Sequence, residues 1–308
     1  MYLVDEGGRE DGTWKSREIP MRIEKGIFFP LLESCNGLAC VPSTLGESDP
    51  LFVYNPITMD FVKLPRSADD IRVTYSVGFG FDAKGRKYKV VRLFDVENDP
   101  ELITSCEIIT LDESSWRRLE IPYQMFIGIR PAPVFLDGTF HWVIDKRFHP
   151  DGPEQILALD LSTEKFRTID FPLSTRYSNF ILLFKCGEFM AITEHGIKNQ
   201  IRVVKVMGNS ADGYRVRKNT HILLIKMDLP FKFALSGFLS DGSFLFELVY
   251  DFLEGNTQND QLALYCPKKK SYHVVDVSPA PPSFRGHFFV PSLVSPSATM
   301  SQGAQKET

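Results

Sequence analysis

Short apolar runs of strand length recur along this chain, each followed by a polar interval and then a single aromatic residue. The runs YLVD, LFVY, EIIT, ILAL, IRVV and LALY lead to Trp14, Phe61, Trp116, Phe166, Tyr214 and Tyr272. Six positions before these aromatics stand Gly8, Asn55, Thr110, Asp160, Gly208 and Cys266, mostly residues that tolerate turns. A second marker lies upstream: Asn36-Gly37, Lys84-Gly85, Asp137-Gly138, Cys186-Gly187 and Asp241-Gly242 each open an alternating apolar segment. A glycine free to take positive φ closes a two-residue hairpin whose twist matches its strands. Each unit therefore reads strand, tight turn, strand, variable loop, strand, longer turn, aromatic strand, which is a four-stranded antiparallel sheet.

The aromatics lie roughly fifty residues apart, nearer the kelch period than the shorter WD40 one. This predicts an all-β fold, a kelch-like β-propeller with six four-stranded blades. Five units are internal, and the sixth is shared by the N- and C-terminal strands. Residues 1–22 supply one half of that blade and residues 284–290, FRGHFFV, the other. Such closure removes free sheet edges. A β-sandwich or an open array of five units stays open as an alternative, because Arg217 stands where the fifth anchor segment, YRVRKN, should be apolar. The propeller is expected over residues 1–296, with 297–308 as a disordered tail.

Blade geometry sorts the connections. The glycine turns and the turns before each aromatic should share one face. The loops between second and third strands should share the other, at 42–50, 95–102, 145–154, 194–199 and 251–261. Several of these mix aromatic, Arg and acidic residues, as Lys146-Arg147-Phe148-His149 does, which suits a protein-binding surface.

Composition narrows the partners. The 308 residues are 43% hydrophobic and include 25 Phe, ample for a core. The net charge is −4, so nucleic-acid binding has no electrostatic support, and Lys268-Lys269-Lys270 reads as a solvated turn. No secretory signal opens the chain and no apolar run reaches membrane-spanning length, so no membrane partner is expected. Five dispersed Cys point to a reducing compartment, cytoplasmic and/or nuclear.

Catalytic chemistry is hard to find. Cys35 and Cys40, five apart, should point to opposite strand faces, and no metal-ligand cluster follows. Gly78-Phe79-Gly80 resembles the start of a dinucleotide fingerprint, but a strand, YKVVRLF, follows where a helix is required. Of the six His, His141, His273 and His287 lie in strand patterns and read as packed or half-exposed. His149 and His195 sit in expected loops beside Asp151 and Glu194. His221 completes the set. Trp142 reads as a core aromatic. No catalytic, cofactor-binding or metal residue is assigned, no cofactor is expected, and the substrate-binding residues are unknown.

Several segments in order carry a family resemblance. They are Ser34-Cys35-Asn36-Gly37-Leu38-Ala39-Cys40, Val53-Tyr54-Asn55-Pro56-Ile57-Thr58, Gly78-Phe79-Gly80-Phe81-Asp82 with Tyr88-Lys89-Val90-Val91-Arg92, Ser115-Trp116-Arg117, Gly138-Thr139-Phe140-His141-Trp142, Ser162-Thr163-Glu164-Lys165-Phe166 and Pro291-Ser292-Leu293-Val294. Over roughly residues 30–296 the chain resembles the F-box-associated domain of plant F-box proteins. The resemblance implies a substrate-recognition module of an SCF-type cullin-RING ubiquitin ligase, not an enzyme, whose partners are unidentified protein substrates. No F-box is recognised ahead of Tyr2, so contact with the ligase adaptor is expected only if an upstream F-box exists. A propeller-fold hydrolase or oxidase is the alternative from another class, and a small-molecule or glycan-binding propeller a third.

Overall fold

A computed structural model describes residues 2–4, 13–19, 33–44, 47–67, 74–98, 101–122, 133–144, 155–170, 180–186, 189–196, 200–207, 223–226, 232–239, 242–249, 261–278 and 289–301. Strands dominate, as the alternating β-branched and aromatic runs dictate.

Four consecutive units each form a four-stranded antiparallel meander. The first is β3(Glu33–Cys35), β4(Leu38–Thr44), β5(Glu47–Tyr54) and β6(Phe61–Lys63). The second is β7(Thr74–Asp82), β8(Lys87–Asn98), β9(Glu101–Thr110) and β10(Arg117–Leu119). The third is β11(Val134–Leu136), β12(Thr139–Val143), β13(Gln155–Asp160) and β14(Lys165–Asp170). The fourth is β15(Phe180–Cys186), β16(Phe189–Gly196), β17(Gln200–Met207) and β18(Leu223–Lys226).

The fifth sheet has six strands. Its meander is β19(Lys232–Phe238), β20(Phe244–Val249), β21(Gln261–Cys266) and β22(Ser271–Ser278). The hairpin of β1(Tyr2–Val4) and β2(Thr13–Glu18) adds to its edge, with β2 parallel to β22 at Trp14↔Val277. The N-terminal strands thus share a sheet with the last strands of the repeat. Among the described residues the hairpin extends the fifth sheet through β22, where the expectation paired it with residues 284–290 in a blade of their own. Of its other expected half, 284–288 lie outside the described residues, and Phe289 and Val290 carry no ladder.

The arrangement is that of a propeller. The first strands of successive sheets touch in turn, β3 with β7, β7 with β11, β11 with β15 and β15 with β19. The core fills the spaces between neighbouring sheets. Leu38, Val53 and Leu64 of the first meet Phe79, Val90 and Ile109 of the second. Val91, Leu93 and Ile108 on the other side of the second meet Phe140, Trp142, Leu157 and Leu159 of the third. Each such buried side chain contributes on the order of 1.5–3 kcal/mol.

Gly78 and Gly80 belong to this packing rather than to any phosphate loop. They lie in β7, where a Cβ would stand 2.8 Å from the Phe140 ring and 2.7 Å from the Phe135 ring respectively. Their missing side chains let the third sheet press against the second.

The anchors fall where periodicity put them, with exceptions. Trp14, Phe61, Phe166 and Tyr272 lie in strands, Trp116 immediately precedes β10, and Tyr214 is outside the described residues. Asn36-Gly37 and Asp137-Gly138 form the expected turns, with φ of 48° and 80°, and 48° and 72°. Lys84-Gly85 does not: the turn spans residues 83–86 and its left-handed residue is Arg86, φ 54°. Asp82 explains the longer turn, because its carboxylate accepts from the Lys84 and Gly85 amides. Gly187 and Asp241 are outside the described residues; Gly242 has φ 85°. The tail expected from residue 297 begins as α1(Pro296–Ser301).

Candidate functional site

The two ends of the sheets are built differently. At one end lie the turns between first and second strands and between third and fourth. The backbone of Ser292 and its hydroxyl show this for the first sheet. Ser292 Oγ donates to Asn36 O in the β3–β4 turn (2.8 Å), while Asn55 Nδ2 in the β5–β6 turn donates to Ser292 O (3.0 Å). In the third sheet Leu161 N donates to Gly138 O across the same two turns (2.9 Å).

This turn face is held by side chains. Asn55, fully buried, accepts from Ile57 N and Thr58 N through Oδ1, and donates through Nδ2 to Val294 O (2.6 Å) as well as Ser292 O. The carboxylate of Asp60 accepts from Ser297 Oγ (2.7 Å), Ser297 N (3.3 Å) and Ser295 Oγ. Residues 291–298 therefore form a strap across the first sheet, with Val294 packed into the core between the first and second.

Between the second and third sheets, Lys89 Nζ reaches Leu161 O (2.7 Å), Glu164 Oε1 (2.8 Å) and Asp82 Oδ2 (3.1 Å). Ser162 Oγ donates to Asp82 Oδ1 (2.7 Å), and Arg117 joins Glu164 (2.6 Å). Burial alone would raise the Asp82 pKa. Hydrogen bonds from Ser162, Gly85 N and Lys89 outweigh it and hold the carboxyl at about 2.

A second buried pair lies in the body of the second sheet. Arg92 Nε and NH2 donate to Glu107 Oε2 at 3.0 and 2.9 Å, and Ser67 Oγ donates to Oε1 at 2.8 Å. The guanidinium sits 4.1 Å from the Trp116 ring centroid, and Trp116 Nε1 donates to Pro65 O (2.7 Å). Sequence periodicity missed this group; two opposite charges directly across β8 and β9 in adjacent apolar runs were its one signal.

The opposite end of the sheets differs from expectation. Three of the five expected loops are hairpin extensions. β4 and β5 run to Thr44↔Glu47, β8 and β9 to Asn98↔Glu101, and β16 and β17 to Gly196↔Gln200. Strand-forming residues such as Val96, Leu102 and Ile103 continue the ladders. The register of β7 with β8 ends at Thr74↔Phe94, so beyond Phe94 the β8–β9 pair is a two-stranded ribbon among the described residues. The other two loops, 145–154 and 251–260, lie outside the described residues, with Gln261 opening β21.

The residues weighed for chemistry are scattered. His141 is fully buried, its Nδ1 3.1 Å from Val134 O, an acceptor that sets the proton on that nitrogen. Burial pushes its pKa down to about 4; the Val134 carbonyl opposes this and Arg167 adds to it. Trp142 Nε1 donates to Ser76 Oγ (3.0 Å), tying third sheet to second. His195 lies inside β16, opposite Ile201, not in a loop. His273 is exposed on β22, and His149, His221 and His287 are outside the described residues. Cys35 and Cys40 flank a two-residue hairpin, so strand parity does not separate them, and both meet the first core cluster. Among the described residues, no helix is long and apolar enough to cross a membrane.

Residues 21–296 match the model of the F-box associated beta propeller domain. The chain belongs to that family. Its relatives include two Arabidopsis thaliana proteins. F-box protein At1g33530 is 34% identical over 147 residues, 45% of this chain and 29% of the relative. F-box/LRR-repeat/kelch-repeat protein At1g09650 is 28% identical over 186 residues, 55% of this chain and 46% of the relative. The matches span less than half the length of either relative. The solved structure of Bacteroides ovatus Xyloglucan PUL GH43B aligns with a TM-score of 0.40 at 12% identity, covering 84% of this chain and 56% of that one. At that level nothing about the chemistry of the F-box-associated domain follows.

Proposed function

We propose that this F-box-associated propeller, residues 1–296, captures protein substrates for an SCF-type cullin-RING ubiquitin ligase. The family match over residues 21–296 carries the reading. The geometry supports it. A scaffold whose sheets are tied by buried side-chain bonds presents hairpin ends on one face, and preorganised hairpins lose little conformational entropy on binding. Its work is binding rather than catalysis, since Arg92–Glu107 and Lys89–Asp82–Glu164 are engaged in ties within and between sheets, not open to a substrate. Contact with the ligase adaptor is the task of an F-box. The cysteine usage and net charge of −4 favour a protein partner in the cytosol or nucleus over nucleic acid.

Affinity capture of the tagged chain from plant extract, read by mass spectrometry, tests this. A specific set of proteins should be recovered, and should shrink when the β8–β9 tip carries Asn98→Ala and Glu101→Ala. Recovery of no specific protein, or the same set with both baits, would count against the reading. Adaptor should co-purify only when an F-box is present in the same polypeptide.

A further inference from the structure

The strap across the first sheet carries a serine placed for switching. Ser295 precedes Pro296, the dipeptide that proline-directed Ser/Thr kinases accept. Its Oγ donates to the Asp60 carboxylate, lies 3.0 Å from Ser297 Oγ, and accepts from Ala298 N at 3.1 Å. Ser297 bonds the same carboxylate oxygen through Oγ and N. One acidic group thus receives three of the strap's donors, while Asn55 holds the carbonyls of Ser292 and Val294. Ser295 is half-buried when docked, so access by a kinase requires the strap to lift.

We propose that Ser295 is a phosphorylation site and that its modification releases the strap from the first sheet. The kinase supplies the phosphoryl group from a nucleoside triphosphate. Ser295 Oγ attacks the γ-phosphorus, the bond from that phosphorus to the bridging oxygen breaks, the nucleoside diphosphate leaves, and the hydroxyl proton passes to the kinase's base. The product has no proton left to donate to Asp60 and carries close to two negative charges. It faces a carboxylate where a hydroxyl stood, so re-docking sets like charges against each other in a half-buried site. The Ser297 bonds to Asp60 are lost with it, while the Ala298 amide can pair with the phosphate oxygens in the lifted strap. Phosphorylation therefore traps the lifted strap, and the core beneath Val294 opens.

Treating the full chain with a proline-directed kinase and magnesium ATP, then mapping the phosphate by peptide mass and following amide exchange, tests the proposal. Phosphate is expected on Ser295, with exchange over residues 292–298 faster by roughly tenfold or more. Ser295→Glu should reproduce the faster exchange, and Ser295→Ala should do so more weakly. Asp60→Asn, which keeps an acceptor but removes the charge, should restore much of the protection lost in Ser295→Glu. Absence of phosphate at Ser295, or unchanged exchange after modification, overturns the proposal. So does an equal effect of Ser295→Glu in both Asp60 backgrounds, which would make the clash one of shape and not of charge.

Discussion

The turn face and the hairpin face of this propeller are made of the same strands, yet among the described residues the long-range side-chain ties gather at the turn face. At the turn face Asn55, Asp60, Asp82 and Lys89 knit turns, neighbouring sheets and the C-terminal strap together. At the hairpin face the β8–β9 ribbon runs past its neighbour strand to Asn98↔Glu101 with ladder bonds as its described support. The difference assigns roles. Long-range bonds make one face a frame, and at the other the described residues show local ladders, the kind of connection that tolerates variation.

Substitutions should expose that contrast in order of size. Glu107→Ala leaves Arg92 charged and buried at the root of the ribbon, and should destabilise the domain by about 3–5 kcal/mol in urea unfolding. A loss under about 1 kcal/mol would show that the pair is not the anchor described here.

Acid should act through His141. Its folded pKa, about 4, lies below the usual 6.5, so the unfolded chain binds the extra proton first. Stability is full above pH 6.5, falls as pH drops towards 4, and then levels off for this group, a loss of about 3 kcal/mol. Asp82 extends the loss to lower pH, between its usual value of 3.8 and about 2. Denaturant titrations at pH 7 and pH 4.5 check the first window, and a His141→Gln protein should show a flatter pH dependence between them.

Asn55→Ala should cost about 2–3 kcal/mol, because it orphans the carbonyls of Ser292 and Val294 and the amides of Ile57 and Thr58. Exchange should rise over 292–298 before it rises elsewhere. The smallest effect belongs to the hairpin face. Asn98→Ala with Glu101→Ala should shift stability by about 0.5 kcal/mol or less while weakening partner capture. A large stability loss there would erase the distinction between the two faces.

What could be read from the chain was local. Asn36-Gly37 and Asp137-Gly138 announce their turns because only short-range backbone conformation decides them. The recurring aromatics mark strands for the same reason. The hairpin tips were harder, since Glu47, Asp49, Glu97 and Asp99 resemble loop composition whether or not ladder bonds continue beneath them. The ties between sheets were illegible: Ser67 with Glu107, Lys89 with Leu161 and Asn55 with Val294 join residues 40, 72 and 239 apart, none of them a multiple that the repeat announces. Arg86, not Gly85, took the left-handed position because Asp82 captures the amides before it.

The strap also sets a timetable. During translation the first sheet leaves the ribosome early, but the segment that seals its edge is made after every repeat. The nascent chain must hold Val294's place open until synthesis is nearly done, while the N-terminal hairpin waits for β22. Ribosome stalling before β22 is made would leave the first sheet without its strap and the N-terminal hairpin without its partner strand at once, a state that cellular quality control can recognise by its exposed apolar edge.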